Sequence, residues 1–182
     1  MPRAGLTTDR VVAAAEQLID DGELSLAALA ARLGVRVPSL YKHVDGLDAL
    51  RRLVSIRAKD ELASVMTSAA VGVARDDAVV ALARAYRGWA LEHPGRYAAA
   101  QRPPAAGDAE DEAASARAVQ VVLDVLAGYG LDGDVAIDAT RSLRAAIHGF
   151  VTLEPSGGFG LPRDVDRSFD WFISGLTTAF AA

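Results

Sequence analysis

The feature that most constrains the fold is the helical spacing of apolar residues, which recurs along nearly the whole chain. Near the amino terminus, apolar side chains at intervals of three and four residues would form one stripe on a helix, at Val11, Ala14, Ala15, Leu18 and Ile19. No convincing stretch shows the period-two alternation that is typical of β-strands. We therefore expect an all-α fold with about nine helices.

Capping residues, glycines and prolines divide the chain into separate helices. Ser25 is a typical N-cap, Gly34 suits a left-handed C-cap, and the residue before Pro94 avoids helical geometry, which ends a helix there. A loop is expected over 102–110 and a glycine-rich turn over 156–160. The expected helices run from Thr7 or Thr8 to about Asp20 and over about 26–33, 38–43, 45–70, 78–93, 111–127, 133–153 and 165–180.

The composition excludes several classes of chemistry. The 182-residue chain has no cysteine, which rules out disulfides, thiolate metal sites and a cysteine nucleophile. Nucleophile elbows, phosphate loops and histidine pairs at metal spacing are also missing, and His43, His93 and His148 fall on separate elements. We expect no enzyme activity, no cofactor and no metal. With no signal peptide and no membrane-length apolar run, a cytoplasmic protein without a membrane partner is expected.

The charge is distributed unevenly along the chain. Residues 1–58 contain eight Lys or Arg and seven Asp or Glu, a net charge of +1, whereas the overall net charge is −5. Within 36–57 five basic residues face two acidic ones, a net charge of +3. An acidic body with one basic segment is typical of a polyanion binder that has a second function, although a solvated helical face gives the same pattern.

Two short helices around the turn at Gly34 form a candidate helix-turn-helix. Their apolar residues would pack into a small core, which makes the 37–43 helix project; the core residues are Leu29, Leu33, Val35, Leu40 and Val44. The side chains expected to meet DNA are Arg36, Val37, Pro38, Ser39, Tyr41, Lys42 and His43. Arg36 can bind guanine bidentately, Ser39 can hydrogen-bond to most bases, and Tyr41, Lys42 and His43 can donate to phosphates. For Tyr41 and His43, a partly buried packing role is the alternative.

The stretch LAALAARLGVRVPSLYKHVDGLDAL, from Leu26 to Leu50, resembles the DNA-binding signature of the TetR family of transcriptional regulators. The matching residues are Leu29-Ala30, Leu33-Gly34-Val35, Leu40-Tyr41, His43-Val44 and Ala49-Leu50. The resemblance implies a three-helix DNA-binding domain over 1–50, joined by a long helix to a helical ligand-binding and dimerisation domain over 51–182. A lysine common in the family is replaced by Leu47, and the candidate substitutes for its phosphate contact are Arg51, Arg52 and the amino terminus of the fourth helix.

A looser resemblance extends into the second half of the chain. The segments YRGWALEHPGRY (86–97) and IHGF (147–150) are similar to one subgroup of TetR-type ligand-binding domains. In such domains the central helices enclose a small-molecule cavity, which implies an effector site formed by Tyr86, Trp89, His93, Tyr97 and His148. A role as ordinary core residues is the alternative for each. Gly149, in the middle of a helix, indicates a close helix crossing or a cavity wall.

Two apolar stripes near the carboxyl terminus predict a homodimer. Paired with their symmetry mates, the 133–153 and 165–180 helices would form a four-helix bundle through Leu143, Ile147, Phe169, Phe172 and Leu176. A monomer that buries one stripe against its own body is the alternative.

These observations together lead to one functional hypothesis and two competing ones. The leading hypothesis is a ligand-responsive transcriptional repressor that binds a near-palindromic double-stranded DNA operator as a homodimer and is released by a small-molecule effector. The alternatives are an all-α enzyme acting on a small molecule and a dimeric protein-binding adaptor. The effector, the operator and the sign of regulation are not specified by the sequence.

Overall fold

The computed structural model describes residues 5–182, and α-helices are the regular secondary structure of that range. The prediction of an all-α fold with about nine helices is confirmed. The helices are α1 (Thr8–Asp20), α2 (Leu26–Leu33), α3 (Val37–Leu40), α4 (Leu47–Ala70), α5 (Arg75–Glu92), α6 (Pro94–Ala100), α7 (Ala109–Ala127), α8 (Gly133–Leu153) and α9 (Val165–Phe180).

The first two helices begin at the caps that the sequence predicts. The Thr7 side chain accepts a hydrogen bond from the Arg10 backbone N–H at 3.3 Å, and the Ser25 hydroxyl accepts one from the Ala28 N–H at 3.1 Å. Each cap satisfies one of the backbone N–H groups that have no partner inside the helix. Gly34 ends α2 with φ 67° and ψ 32°, the left-handed conformation expected for it.

The predicted helix boundaries differ from the observed ones near α3 and α6. Helix α3 ends at Leu40, and residues 41–43 form a turn instead of continuing the helix to 43. Pro94 does separate two helices, but it also occupies the first turn of α6, which was not expected as a helix of its own. A proline lacks the backbone N–H that a first turn leaves unused, so the same residue ends one helix and begins the next.

The described chain divides into two compact units. The first comprises the chain up to Lys59 together with His93–Ala114, and the second comprises Asp60–Glu92 and Ser115–Ala182. These units are defined by how compactly the chain packs and not by what each part does. The division into a DNA-binding domain up to residue 50 and a ligand-binding domain from 51 onward therefore stays a prediction.

The first unit has its own hydrophobic core. Val11, Leu29, Leu40 and Leu50 are fully buried there, and they come from α1, α2, α3 and α4. The small core expected around the helix-turn-helix forms as predicted, with Leu33 and Val35 partly buried at its edge. Leu40 is the fully buried anchor of α3, and Val37 packs against the edge of the same core, whereas Pro38 is exposed.

The second unit is built on α5, which packs against both α8 and α9. Three of the five predicted dimer residues, Leu143, Ile147 and Phe169, are only 1% exposed and belong to this core. Phe172 and Leu176 are half-buried. The apolar stripes are thus largely covered by the chain itself, as in the monomer alternative, because α5 already offers them an apolar surface. Among the described residues, no helix is long and apolar enough to span a membrane.

Candidate nucleic-acid interface

The turn between α2 and α3 is closed by backbone hydrogen bonds. The Gly34 N–H donates to the Ala31 carbonyl at 3.1 Å, and the Val35 N–H donates to the Ala30 carbonyl at 3.0 Å. Arg36 then adopts an extended conformation, with φ −88° and ψ 147°, immediately before α3 begins. This geometry places Arg36 at the amino end of the helix, the end from which side chains reach base edges in a helix-turn-helix.

The outward side of α3 and the turn after it contains the residues that the sequence predicts to meet DNA. Arg36, Pro38, Tyr41 and Lys42 are exposed, and the Tyr41 ring is 56% exposed although it is large and aromatic. The remaining three predicted residues are half-buried: Val37, Ser39 and His43. The structure therefore brings the seven predicted residues together on one continuous surface segment. Packing of Tyr41 into the core, the alternative reading, does not occur.

The polar side chains of this segment have no hydrogen-bond or ion-pair partner anywhere in residues 5–182; they are Arg36, Ser39, Tyr41, Lys42 and His43. Nearby basic residues differ in this respect. Arg51 lies 3.5 Å from Asp48, and Arg57 lies 2.9 Å from Glu16. The charges of Arg36, just before α3, and of Lys42, in the turn after it, are thus available to an outside anion, whereas Arg51 and Arg57 are neutralised within the fold.

The end of α3 is held in place by contacts to its neighbours. The His43 N–H and the Val44 N–H both donate to the Leu40 carbonyl, at 2.9 and 3.0 Å. The Thr8 hydroxyl donates to the His43 carbonyl at 3.4 Å, which connects this turn to the start of α1. Val44 is only 5% exposed. A fixed turn keeps the exposed side chains oriented, which reduces the entropy that DNA binding would cost.

The first half of α4 is anchored by three acidic residues near the start of α7. Arg52 forms a bidentate pair with Asp108 and also contacts Glu110, and Lys59 pairs with Asp111. The Arg52 guanidinium lowers the pKa of Asp108 to about 2 by hydrogen bonding to its carboxylate. Arg52 was a candidate phosphate contact in place of the missing lysine, but two carboxylates already neutralise it.

The sequence did not reveal these acidic anchors. Asp108 and Asp111 lie more than fifty positions from their basic partners, so no local spacing connects them. Their only local signal is the acidic first turn of α7, which by itself indicates a helix start.

The predicted effector residues are distributed over both units. Tyr86 and Trp89, on α5 in the second unit, are 6% and 5% exposed. In the first unit, Tyr97 is 7% exposed, and His93 lies beside Arg96, with 2.6 Å between its Nδ1 and an Arg96 nitrogen. His148 is exposed on α8, because the buried stripe of that helix runs through Leu143, Ile147 and Val151. Their role in ligand binding stays a prediction.

Gly149 does not lie at a close helix crossing within the described chain. A Cβ added there would meet nothing within 4 Å, so the expectation of a crowded contact inside the fold is wrong. Gly95 occupies such a position, because a Cβ there would lie 1.9 Å from the Ile19 carbonyl oxygen. Here α6 meets the last turn of α1 backbone to backbone.

An exposed, partner-free helix after a tight turn, followed by a large helical body, defines the class of helix-turn-helix transcriptional regulators. Residues 79–176 match the family model described as tetracyclin repressor-like, C-terminal domain. This protein belongs to the TetR family of transcriptional regulators, as its amino-terminal signature indicated. Its relatives are regulators of transcription and not enzymes.

Two relatives and one solved structure illustrate the match. The HTH-type regulator Rv0681 of Mycobacterium tuberculosis is 44% identical over 158 residues, which cover 85% of this chain and 72% of that protein. YobS of Bacillus subtilis is 36% identical over 183 residues, which cover 96% of this chain and 95% of that protein. The crystal structure of the Streptomyces coelicolor TetR family protein ActR in complex with (S)-DNPA has a TM-score of 0.69 and 22% identity, covering 98% of each chain.

Proposed function

We propose that this protein is a ligand-responsive repressor, which binds a near-palindromic operator as a homodimer and leaves the DNA when a small-molecule effector binds. The observation that supports the proposal is the set of exposed and half-buried polar side chains from Arg36 to His43, on and around α3, that have no partner in residues 5–182. Polar side chains without partners inside the protein are available to form hydrogen bonds and ion pairs with the phosphates and bases of DNA.

The roles of the individual side chains follow from their position. Arg36, at the amino end of α3, is the base-reading residue because its guanidinium can donate two hydrogen bonds to guanine. Ser39 is the second polar group on the same outward side. Tyr41, Lys42 and His43 follow the helix and donate to phosphate oxygens, which sets the orientation on the duplex. Val37 and Pro38 supply apolar contact to the groove, for example with thymine methyl groups.

The dimer surface that we propose is the outward side of α8 and α9. The inward stripes are covered by α5, but Trp171 is 77% exposed, and Val135 and Ile137 on α8 are 60% and 43% exposed. Gly149 and Gly175 leave open space beside these helices, which permits close approach of a second copy. A pair of α8–α9 hairpins would then form the four-helix bundle, with Phe172 and Leu176 at its half-buried edge.

Effector response is proposed from the fold and from the family. ActR, which shares the fold, was crystallised in complex with (S)-DNPA, and that complex supports the proposal of an effector site in the helical body. Tyr86, Trp89, His93, Tyr97 and His148 stay candidates for such contacts here. An effector that prefers a conformation unsuited to DNA must, by linkage, bind operator-bound protein more weakly.

The decisive experiment is a gel shift with DNA from upstream of the protein's own gene and of its neighbours. We expect a salt-sensitive shift on one fragment, and at least a tenfold weaker shift for Lys42→Ala. Arg117→Ala is the matched control, because it also removes one positive charge but lies on α7, paired with Asp60. Equal loss in both variants, or no shift on any fragment, would contradict the proposal.

The dimer is tested separately by analytical ultracentrifugation. Trp171→Glu places a charge on the proposed surface and should convert a dimer into a monomer at micromolar concentration. Val119→Glu, on an exposed position of α7, is the control and should leave the dimer intact. A monomeric wild-type protein would overturn this part of the proposal.

A further inference from the structure

The second unit contains an open cleft of about 310 Å³ that no predicted site residue lines. It is formed by the last turn of α4, the α4–α5 turn, the first turn of α5 and one side of α7. This volume is at the lower end of the range found for small-molecule sites in proteins. The cleft lies wholly within one compact unit, so its walls belong to one packed body.

The walls of the cleft are mainly aliphatic. Val71 and Val73 come from the α4–α5 turn, and Val121 and Val125 come from α7. Val71 is 74% exposed and Val73 is 42% exposed, so this surface keeps apolar area in contact with water. No aromatic ring is among its lining residues. A ligand with a flexible aliphatic body fits such walls better than a flat ring system that needs a stacking partner.

One cation lies at the edge of these apolar walls. The Arg75 guanidinium is placed over the Tyr129 ring, 4.9 Å from its centroid, and donates to the Gly128 carbonyl at 3.3 Å. Within residues 5–182 the Arg75 guanidinium has no carboxylate partner. The nearby Asp76 carboxylate accepts a hydrogen bond from the Tyr129 hydroxyl instead, at 2.6 Å. The guanidinium is therefore held in position while its charge is not neutralised by an ion pair.

The backbone of Arg75 is also unusual. Its φ of 51° makes it the only residue other than glycine with a positive φ in the described part of the chain. Long side chains seldom adopt this conformation, and positions that keep it are concentrated at functional sites. Glycine would satisfy the same backbone without strain, so the arginine side chain itself needs an explanation.

We propose that this cleft binds a small aliphatic monocarboxylate, with its carboxylate on Arg75 and its chain against the four valines. The Arg75 guanidinium donates one hydrogen bond to the Gly128 carbonyl and has further N–H groups available. Two of these N–H groups can bind both oxygens of a carboxylate at once. Asp124, also at the cleft, accepts from Gln120 at 2.8 Å, and its negative charge disfavours ligands that carry more than one anionic group.

The proposal rests on the proposed function in one respect, because it assigns this ligand the role of effector. Helix α4 is continuous from Leu47, just after the proposed DNA-reading segment (residues 36–43), to Ala70 at the cleft. A ligand that displaces the last turn of α4 therefore acts on the helix whose first half contributes Leu50 to the core that also contains Leu40 of α3.

The test uses sodium octanoate as the probe, titrated calorimetrically into the full chain without DNA. Wild-type protein is expected to bind it at one saturable site, and Arg75→Gln to bind it at least tenfold more weakly. Arg84→Gln is the control, because Arg84 is also on α5 but pairs with Asp170. Octanol, which has the same chain and no charge, should bind wild-type protein and Arg75→Gln equally.

Arg75→Gly keeps the experiment interpretable if the glutamine variant folds poorly, since glycine suits the positive φ. It should melt no lower than the wild type and still lose octanoate binding. Absence of octanoate binding, or equal binding by the wild type and both Arg75 variants, would overturn the site. Operator binding is measured separately by gel shift, so a protein that binds octanoate but no DNA would refute the proposed function and leave the cleft assignment standing.

Discussion

Asp20, the last residue of α1, accepts two hydrogen bonds from Arg96 of α6. Its Oδ1 accepts from the Arg96 backbone N–H and its Oδ2 from the Arg96 Nε, both at 2.7 Å. The carboxylate thereby caps the first turn of α6, although it belongs to a helix more than seventy residues earlier in the chain. Since α1 is also the helix whose Thr8 contacts the His43 carbonyl, α6 is joined to the element that supports the turn over residues 41–43, where we propose that DNA binds.

Gly95 should be the least replaceable residue of this junction. Alanine at 95 would place its Cβ 1.9 Å from the Ile19 carbonyl oxygen, so α6 must move away from α1. We expect Gly95→Ala to lower the free energy of unfolding by about 1–3 kcal/mol. Gly88→Ala is the control, because nothing lies within 4 Å of that position in α5, and it should stabilise by about 0.5–1 kcal/mol. Urea denaturation measures the free energy of unfolding of both variants. Equal changes for Gly95→Ala and Gly88→Ala would contradict the proposed crowding at Gly95.

Replacing only one member of the Lys59–Asp111 pair should lower the free energy of unfolding strongly. The two side chains are 5% and 7% exposed, so either charge alone would be buried without its partner. We expect Lys59→Met or Asp111→Leu to cost about 3–5 kcal/mol each, and the double variant to recover most of that loss. The exposed Arg117–Asp60 pair is the control, and Arg117→Ala should cost less than about 1 kcal/mol. Additive single losses in a double-mutant cycle would show that the pair is not coupled.

The Arg52–Asp108 contact predicts a dependence of stability on acid. Hydrogen bonding to Arg52 lowers the pKa of Asp108 from 3.8 to about 2 in the folded protein. The unfolded chain binds this proton more readily, so the contribution is present above about pH 4 and is lost as the pH falls towards 2. The melting temperature of Asp108→Asn should therefore lie below the wild-type value at pH 7 and approach it near pH 2.5. A difference that stays constant over this range would refute the assignment.

The two basic residues of the proposed DNA-reading segment, Arg36 and Lys42, should affect DNA binding differently. Arg36→Ala is expected to cost about 1–3 kcal/mol on the operator and to relax the preference at one base position. Lys42→Ala should weaken operator and random DNA alike and reduce the slope of log affinity against log salt by about one. Fluorescence anisotropy at several salt concentrations measures both effects. Equal losses on operator and random DNA for Arg36→Ala would remove Arg36 from base readout.

Local signals account for the parts of the structure that were predicted correctly. Ser25 and Gly34 begin and end α2 because capping depends only on nearby backbone groups, and Leu40 was recognised as the inward anchor of α3 from its spacing. The position of residues 36–43 at the surface follows from these same residues. In each of these cases the interacting groups lie within a few turns of one another, so the amino-acid order is sufficient to predict them.

What the sequence did not specify concerns contacts between residues far apart in the chain. An apolar stripe such as Leu143–Ile147 shows that one side of a helix must be covered, but α5 and a second subunit would cover it equally well. The exposure of His148 was not predictable for the same reason, because an exposed and an enclosed side of α8 differ only in which neighbour packs there. The sequence by itself determined the helices, their caps and the segment that projects from the first unit, because these depend on neighbouring residues. The tertiary structure decided which helix covers each apolar stripe, which acidic residues anchor α4 and where α6 crosses α1 at Gly95. These contacts form only when distant helices pack, and several partners would satisfy the same hydrophobic and electrostatic requirement.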